Sequence, residues 1–190
     1  AWSGDEVVTS DVALWDLTSR EQVAVVATVT ASIEALAFSP DGKKLAIGPR
    51  YDPMVVISIP NGEVLDESDV VPDEDENALF SRYRTLKFLK DGRLVRPVRK
   101  IDEQGVRIDF LQVWDRDLAG PTHSFELGNA LKSFAISADE SILVATDDNL
   151  PVLGVFELET GKLLCETAVA FGNKRVAISA DGQQITVGYG

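Results

Sequence analysis

The sequence predicts an all-β protein built of repeated four-stranded antiparallel units, and a recurring eight-residue pattern is the first observation behind that prediction. In each copy, a short strand with two large apolar residues leads into a tight turn. The copies occupy residues 35–42, 85–92, 133–140 and 175–182. Their last turn residues lie 50, 48 and 42 positions apart, a spacing typical of repeat architectures with four strands per unit. Because no segment keeps a helical apolar period for three turns, we predict a β-propeller with about four blades' worth of sequence.

The strand of each copy has one strongly apolar face. Side chains alternate between the two faces of a strand, so the large residues share a face in the pairs Leu36/Phe38, Leu86/Phe88, Phe134/Ile136 and Val176/Ile178. Alanine lies between the pair in three copies, and Lys87 lies there in the second. The first strands of a propeller converge on its central channel. Lys87 is therefore predicted to place a cation near that channel.

The first part of the chain contains an outer pair of strands and then one complete unit. Alternating and β-branched residues predict strands at 11–17, 21–29, 33–38, 43–48 and 54–59, with a fourth strand of the unit beginning at 63. Pro40 and Gly42 occupy turn positions that favour them, and Asn61 with Gly62 is a hairpin signal.

The second unit is predicted to begin near residue 83 and the third near residue 131. Strands are expected at 94–96, 108–114, 142–146, 152–158 and 163–167, and a last pair at 176–178 and 184–187. Pro97 is expected to end the strand before it or to place that strand at an edge, because proline cannot donate to a ladder.

The predicted organisation is a single propeller domain, or a fragment of one, over residues 1–190. The blade-like units lie at about 11–29 (partial), 32–66, 83–127, 131–168 and 175–190 (partial). We prefer an incomplete propeller, and the absence of Met at position 1 suggests a processed or excised product. The alternatives are a homodimer that closes an eight-bladed ring, a closed four-bladed monomer, and a sandwich or barrel whose strands are similar by accident.

Composition restricts the function classes. The net charge of −13 and pI of about 4.4 repel phosphate backbones and anionic membranes, so we expect no nucleic-acid partner. No apolar run has the length of a membrane span, and no leader segment is visible. The single cysteine, Cys165, excludes an intrachain disulfide. The compartment stays open, with a soluble cytoplasmic location preferred.

Two Trp-Asp dipeptides and the Asp-Gly turns carry a resemblance to a known family. The residues of this repeat signature are Trp15, Asp16, Asp41, Gly42, Asp91, Gly92, Trp114, Asp115, Asp139, Asp181 and Gly182. Through them the chain resembles the WD-repeat β-propeller family over almost its whole length. The resemblance implies that Trp15 and Trp114 pack between blades. The Gly-His of the family is missing, with Gly128-Asn129 and Gly172-Asn173 at two such places, so its His-Ser-Asp-Trp network is incomplete.

Single reactive residues are expected to be structural. With His123 as the one histidine, a multi-histidine zinc site cannot form, and we expect this residue at the surface or in a hydrogen bond. Cys165 is expected to be a buried, inert thiol in an outer strand. No phosphate-binding glycine loop or paired-cysteine spacing occurs.

An acidic stretch is followed directly by a basic one. Residues 66–76 hold seven carboxylates and are expected to form a solvated loop, with docking to a basic partner or calcium binding as alternatives. The basic residues that follow are Arg82, Arg84, Lys87, Lys90, Arg93, Arg96, Arg99 and Lys100. Because alternate residues of a strand face opposite sides, these charges cannot form one surface. They either neutralise the acidic loop or form a local anion-binding or partner-binding patch. The candidate binding residues are Arg93, Arg96, Arg99 and Lys87, and Arg→Glu replacement of the three arginines is expected to abolish partner capture without unfolding.

The function predicted from the sequence is a non-catalytic scaffold for a protein or peptide partner, without metal or cofactor. It rests on the resemblance and on the absence of a catalytic constellation. One alternative is a propeller hydrolase that uses carboxylates, and a metal, at the central channel. Alanine or Lys87 at the predicted channel positions argues against that enzyme. A further alternative is a structural subunit that closes a propeller by oligomerisation.

Overall fold

The computed structural model describes residues 9–49, 53–67, 85–127, 131–147, 151–170 and 175–188, with backbone alone at 99–101 and 107. Most of the acidic stretch, from residue 68 onward, lies outside these residues. So do Arg82, Arg84, Gly128-Asn129 and Gly172-Asn173.

The described residues form sixteen β-strands and contain no helix. The first eight are β1 (Ser10–Asp16), β2 (Glu21–Val29), β3 (Ile33–Phe38), β4 (Lys44–Pro49), β5 (Val55–Ser58), β6 (Val64–Glu67), β7 (Lys87–Phe88) and β8 (Leu94–Ile101). The others are β9 (Arg107–Trp114), β10 (Pro121–Glu126), β11 (Leu131–Ile136), β12 (Ile142–Asp147), β13 (Val152–Glu157), β14 (Leu163–Ala168), β15 (Arg175–Ile178) and β16 (Ile185–Gly188).

These strands make three four-stranded sheets and two two-stranded sheets, with neighbouring strands antiparallel wherever the register is described. The four-stranded sheets follow the orders β3-β4-β5-β6, β10-β9-β8-β7 and β11-β12-β13-β14, and β1-β2 and β15-β16 form the pairs. Strands adjacent in sequence are adjacent in each sheet, which is the meander of a propeller blade. The predicted all-β fold of four-stranded antiparallel blades is confirmed.

The chain divides into two compact units, residues 1–92 and 93–190. In the first unit, the hairpin β1-β2 packs on one face of the sheet β3-β6. The buried side chains at this contact are Val12, Val26, Leu45, Ile47 and Ile57. Gly62 lies in the turn between β5 and β6 at φ 71°, against the carbonyl group of Val26. A Cβ at this position would collide with that carbonyl, so only glycine fits the close approach.

In the second unit, aromatic residues join the sheet that contains β10 to the sheet that contains β13. Phe125 is 2% exposed, and its ring meets the ring of Phe156 edge to face with centroids 5.5 Å apart and planes at 79°. Edge-to-face packing is a favoured aromatic geometry. Leu111, Leu143 and Leu158 are fully buried in the same unit.

Pro97 does not end its strand, contrary to the expectation from the sequence. β8 continues through it to Ile101, and Pro97 stands opposite Leu111 in β9. Proline is compatible with a strand where its nitrogen is not needed for the ladder, and here the register to β9 is unbroken on both sides of it.

Candidate functional site

The repeated turn is a hydrogen-bonded unit made by a serine and an aspartate two residues apart. In the first copy, the Ser39 hydroxyl donates to Asp41 Oδ1 at 2.6 Å, and Ser39 Oγ accepts from the amide of Lys44 at 2.9 Å. Ser137 with Asp139, and Ser179 with Asp181, repeat the first bond at 2.6 Å and 2.5 Å. The same side chains therefore close the same turn in three copies.

The second copy closes its turn without this pair because residue 89 is leucine. Leu89 has no hydroxyl and is fully buried instead. The backbone bond from the Gly92 amide to the Leu89 carbonyl remains, at 2.9 Å. The second copy therefore lacks the side-chain hydrogen bond of the other turns and buries an apolar side chain at position 89, while the backbone hydrogen bond of the turn remains.

The turn carboxylates titrate below their usual range. The hydroxyl of Ser39 lowers the pKa of Asp41, and the hydroxyl of Ser179 does the same for Asp181, with an amide of the following residues assisting in each case. For Asp139, hydrogen bonds from Ser137 and Ser141 lower the pKa from 3.8 to about 2. Donors that point at a carboxylate favour its ionised form, so these aspartates stay charged and serve the turn.

We expect Asp139→Asn to destabilise the protein near neutral pH and to have little effect in strong acid. Because the folded-state pKa is about 2 and the ordinary value is 3.8, ionised Asp139 contributes stability above the ordinary value. That contribution is lost as the pH falls through the folded-state pKa. Denaturant midpoints of both proteins, measured from about pH 7 down to about pH 2, should converge at the acid end.

The control is Asp117→Asn, in an exposed turn. A stability difference for Asp139→Asn that stays constant over the whole pH range would contradict the assigned role of the carboxylate.

The side chain of Arg96 in β8 is buried and stacks on the ring of Trp114. Its side chain is 4% exposed, and the guanidinium carbon is 3.7 Å from the centre of the Trp114 ring. The indole Nε1–H of Trp114 donates to Gln112 Oε1 at 2.9 Å, and the Gln112 amide donates to Ser124 Oγ at 3.3 Å. These contacts form a chain across β8, β9 and β10. A guanidinium over a tryptophan face is a cation–π contact, so Arg96 holds the sheet together.

The candidate binding residues differ in their surroundings. Arg93 makes an ion pair with Glu159, with Nη2 and Oε2 3.0 Å apart. Lys87 is half-buried, and the side chain of Arg99 lies outside the description. The expectation that Arg96 presents its charge to a partner needs correction, because its guanidinium faces Trp114. The Arg→Glu test must therefore leave Arg96 unchanged.

Asp16 and Asp115 of the Trp-Asp dipeptides close the turns that follow β1 and β9. Asp16 Oδ1 accepts from the amides of Thr18 at 2.6 Å and Ser19 at 2.9 Å, and these backbone bonds lower its pKa. Asp115 Oδ1 accepts from the Ala119 amide at 2.9 Å. Sequence reasoning found these residues but gave them no contacts.

Two other side chains that the sequence analysis expected to be buried are exposed. Trp15 was expected to pack between blades, and it is 57% exposed. Cys165 was expected to be buried, and it is exposed together with every other residue of β14. β14 is the last strand of its sheet in the described residues, and its burial pattern shows that both of its faces reach solvent.

The described residues contain no cluster of three or more His, Cys, Asp or Glu side chains that could hold a metal ion. His123 is half-buried, and its Nδ1 lies 3.1 Å from the hydroxyl of its neighbour Thr122. Within the same part of the chain, no helix is long and apolar enough to cross a membrane.

Exposed apolar side chains are the surface feature that sequence reasoning missed. They occur in pairs on the outer strands β2, β6 and β14, and again on β1 with its turn and on β3. The residues are Val23, Val25, Val64, Leu65, Leu163, Leu164, Trp15, Leu17, Leu36 and Phe38. The sequence shows these pairs as apolar but contains no signal that they lack cover.

The fold and its repeated turns define an all-β protein made of propeller-type blades. No family model matches the chain, and no curated protein matches it either. Among solved structures, the chain is similar to the hydrazine synthase of Kuenenia stuttgartiensis, a β-propeller-like protein, with a TM-score of 0.70 and 20% sequence identity. The likeness covers 93% of this chain and 49% of that chain. The chain therefore spans about half the length of the structure it matches, and the likeness bears on the fold.

Proposed function

We propose that this chain is a divergent WD-repeat-like propeller segment that acts as a non-catalytic module binding a protein or peptide partner. The observation that carries the proposal is the strand β14. All six of its residues are exposed, and its adjacent leucines Leu163 and Leu164 are 44% and 45% exposed. Apolar side chains left in water at an open sheet edge are typical of a binding surface.

The edge offers backbone and side-chain contacts to an extended segment. β14 pairs with β13 on one side, and no strand of the described residues pairs with its other side. An added strand would bond to that edge while Leu163 and Leu164, which lie at a bulge in the pairing with β13, contact apolar side chains of the ligand. Glu166 is exposed on β14, and Glu159, which pairs with Arg93, is exposed in the turn before it. Together with a net charge of −13, they favour a segment that alternates apolar and basic residues.

An enzymatic role has less support. The similar solved structure is, by its name, a synthase, but a likeness at 20% identity transfers no activity. The aspartates of the described turns bond to the serines and amides of their own turns. A carboxylate used for acid–base work needs a site that faces a substrate, whereas these carboxylates point into the turn.

The single cysteine supplies a direct reporter of binding. An environment-sensitive dye on Cys165 lies in the middle of β14. We expect peptides selected from a displayed random library to alternate apolar and basic residues and to change the dye emission with saturation. Leu164→Lys is expected to weaken that binding at least about tenfold, equivalent to about 1.4 kcal/mol.

The matched control is Leu65→Lys on β6, another outer strand with an exposed leucine. It should leave the affinity for the selected peptides unchanged. Selected peptides that bind Leu164→Lys as well as the parent protein, or a selection with no enrichment, would refute β14 as the binding edge.

A further inference from the structure

The hairpin β1-β2 covers one face of the sheet β3-β6 over β4 and β5, and two large side chains of β3 on that face stay exposed. Leu36 stands opposite Ile47, and Phe38 stands opposite Leu45, so these four side chains share a face. Leu45 and Ile47 are 2% and 0% exposed because the hairpin β1-β2 packs on them. Leu36 and Phe38 are 52% and 51% exposed. The cover therefore reaches Ile33 at the start of β3 but not Leu36 and Phe38.

The same pair is buried in the next two copies of the repeat. Leu86 and Phe88 are each 7% exposed. Phe134 and Ile136 are 5% and 7% exposed. The four side chains occupy the positions of Leu36 and Phe38 in the repeat, so exposure is not inherent in the pattern. What differs in the first copy is that nothing in the described residues covers the inner half of the face.

The hairpin β1-β2 corresponds to the third and fourth strands of a blade. The Arg20 amide donates to the Asp16 carbonyl at 2.8 Å in the turn after β1, as the Gly161 amide donates to the Glu157 carbonyl at 3.0 Å in the turn after β13. Arg20 and Gly161 both have positive φ, at 61° and 73°. Leu17 then corresponds to Leu158, yet Leu17 is 91% exposed and Leu158 is fully buried. Within the described residues, β1-β2 is an outer half-blade without its inner half.

The hairpin β15-β16 corresponds to the first and second strands of a blade, which are the two strands that β1-β2 lacks. Its turn repeats the bonds of the copy at 133–140, with the Ser179 hydroxyl donating to Asp181 and Ser179 Oγ accepting from the Gln184 amide at 2.9 Å. β12, the counterpart of β16, is paired on both sides. In the described residues β16 is paired with β15 alone.

We propose that β15-β16 of a second copy of this chain docks beside β1-β2, with β16 adding to the open edge of β1. The composite sheet is a complete four-stranded blade, and its inner half covers Leu36 and Phe38. By the register of β12 on β13, in which Val144 faces Val155 and Ala145 faces Gly154, Thr186 stands opposite Leu14 and Val187 opposite Ala13. The exchange is reciprocal, so the dimer is closed by a two-fold axis.

The charge of β15-β16 and the length of the chain are both compatible with a second copy of the chain docking beside β1-β2. Neither β15 nor β16 contains an acidic residue, so the docking strands avoid the repulsion that a net charge of −13 per chain would otherwise cause. One chain matches 49% of the length of the similar propeller-like structure, and two copies supply a comparable amount of sequence.

Disulfide trapping between single-cysteine chains tests the proposal. In a Cys165→Ser background, chains carrying Ala13→Cys are mixed with chains carrying Val187→Cys and oxidised mildly. Residues directly opposite in a sheet have Cβ atoms about 4.5–5.5 Å apart, so we expect a covalent heterodimer in non-reducing gels. The control mixes Val187→Cys with Gly120→Cys, at a position with open space around it, and should give no comparable product.

A chain carrying both Ala13→Cys and Val187→Cys distinguishes docking of a second copy from pairing of the two hairpins within one chain. A cross-linked monomer would show that the chain closes on itself and would overturn the proposal. No cross-link in either arrangement, together with a monomer in sedimentation, would overturn it as well.

Phe38→Glu gives a second readout on the apolar contact. Phe38 is half exposed in the single chain, so the variant should fold, which circular dichroism checks. We expect its dimer dissociation constant to rise at least about a hundredfold, since a charge would be buried without a partner. An unchanged constant would refute the contact. The peptide assay at Cys165 does not depend on β1 or β16, so the two proposals can fail separately.

Discussion

Phe125→Ala is expected to lower the free energy of unfolding by about 3–5 kcal/mol, the range for removing a buried phenylalanine ring. Phe125 is 2% exposed and meets Phe156 edge to face at 5.5 Å. The substitution leaves a cavity between the two sheets that these rings join, and the ring of Phe156 loses its partner. Urea unfolding followed by circular dichroism measures the change, with the midpoint shift read at constant slope.

Phe38→Ala is the matched control, because it removes the same side chain from a position that is 51% exposed. At protein concentrations where the chain is monomeric, we expect a loss below about 1 kcal/mol, as for exposed substitutions in general. Equal losses for the two variants would mean that Phe125 does not lie in the core described above.

The sequence was sufficient for most strands and for the turns, although it predicted no separate strand at 121–126, where β10 lies. Alternation and the recurring serine–aspartate turn placed β3, β11 and β15 correctly, and the structure closes those turns with the same bonds. This succeeded because a turn is a local interaction. Its donors and acceptors lie within five residues of one another, so spacing alone identifies them. The predicted strand 21–29 agrees with β2 to the residue.

Exposure could not be predicted in the same way. Alternation identifies which residues share a face, but burial depends on whether another sheet covers that face. Leu36 and Phe38 illustrate this, since they match Phe134 and Ile136 in pattern and differ from them in exposure. Cys165 follows the same rule, because nothing in the described residues buries either face of its strand. Trp15 was assigned to packing from a resemblance, and the described residues provide no cover for it.

The candidate site was misread for a related reason. The eight basic residues close together in the sequence were expected to divide between the two faces of their strands, but nothing in the sequence showed that Arg96 would be buried. Arg96 faces inward because it stands opposite Gln112 in β9, beside Trp114. The aliphatic part of an arginine side chain packs well against apolar surface, and a tryptophan face accepts its guanidinium. Charge in the sequence therefore did not indicate charge at the surface.

Arg96→Glu is accordingly expected to destabilise the protein by about 3–5 kcal/mol, the range for leaving a charge buried without its partner. The variant removes the cation from the Trp114 ring and places a carboxylate at a position that is 4% exposed. Burial raises the pKa of such a carboxyl group, so the variant binds a proton more readily when folded. Its stability deficit should then narrow as the pH falls towards about 4.

Arg93→Glu supplies the comparison, since Arg93 pairs with Glu159, whose side chain is 71% exposed. Surface ion pairs contribute about 0–1 kcal/mol, so we expect a loss of about 1 kcal/mol or less with no comparable acid recovery. Urea midpoints at several pH values, with Trp fluorescence as a probe of Trp114, measure both variants. If Arg96→Glu costs no more than Arg93→Glu, Arg96 points to solvent, and the four basic candidates regain their role as a partner-binding patch. A large, acid-relieved loss at Arg96 alone assigns this residue to the sheet and leaves Arg93 and Lys87 as the basic side chains to test for binding.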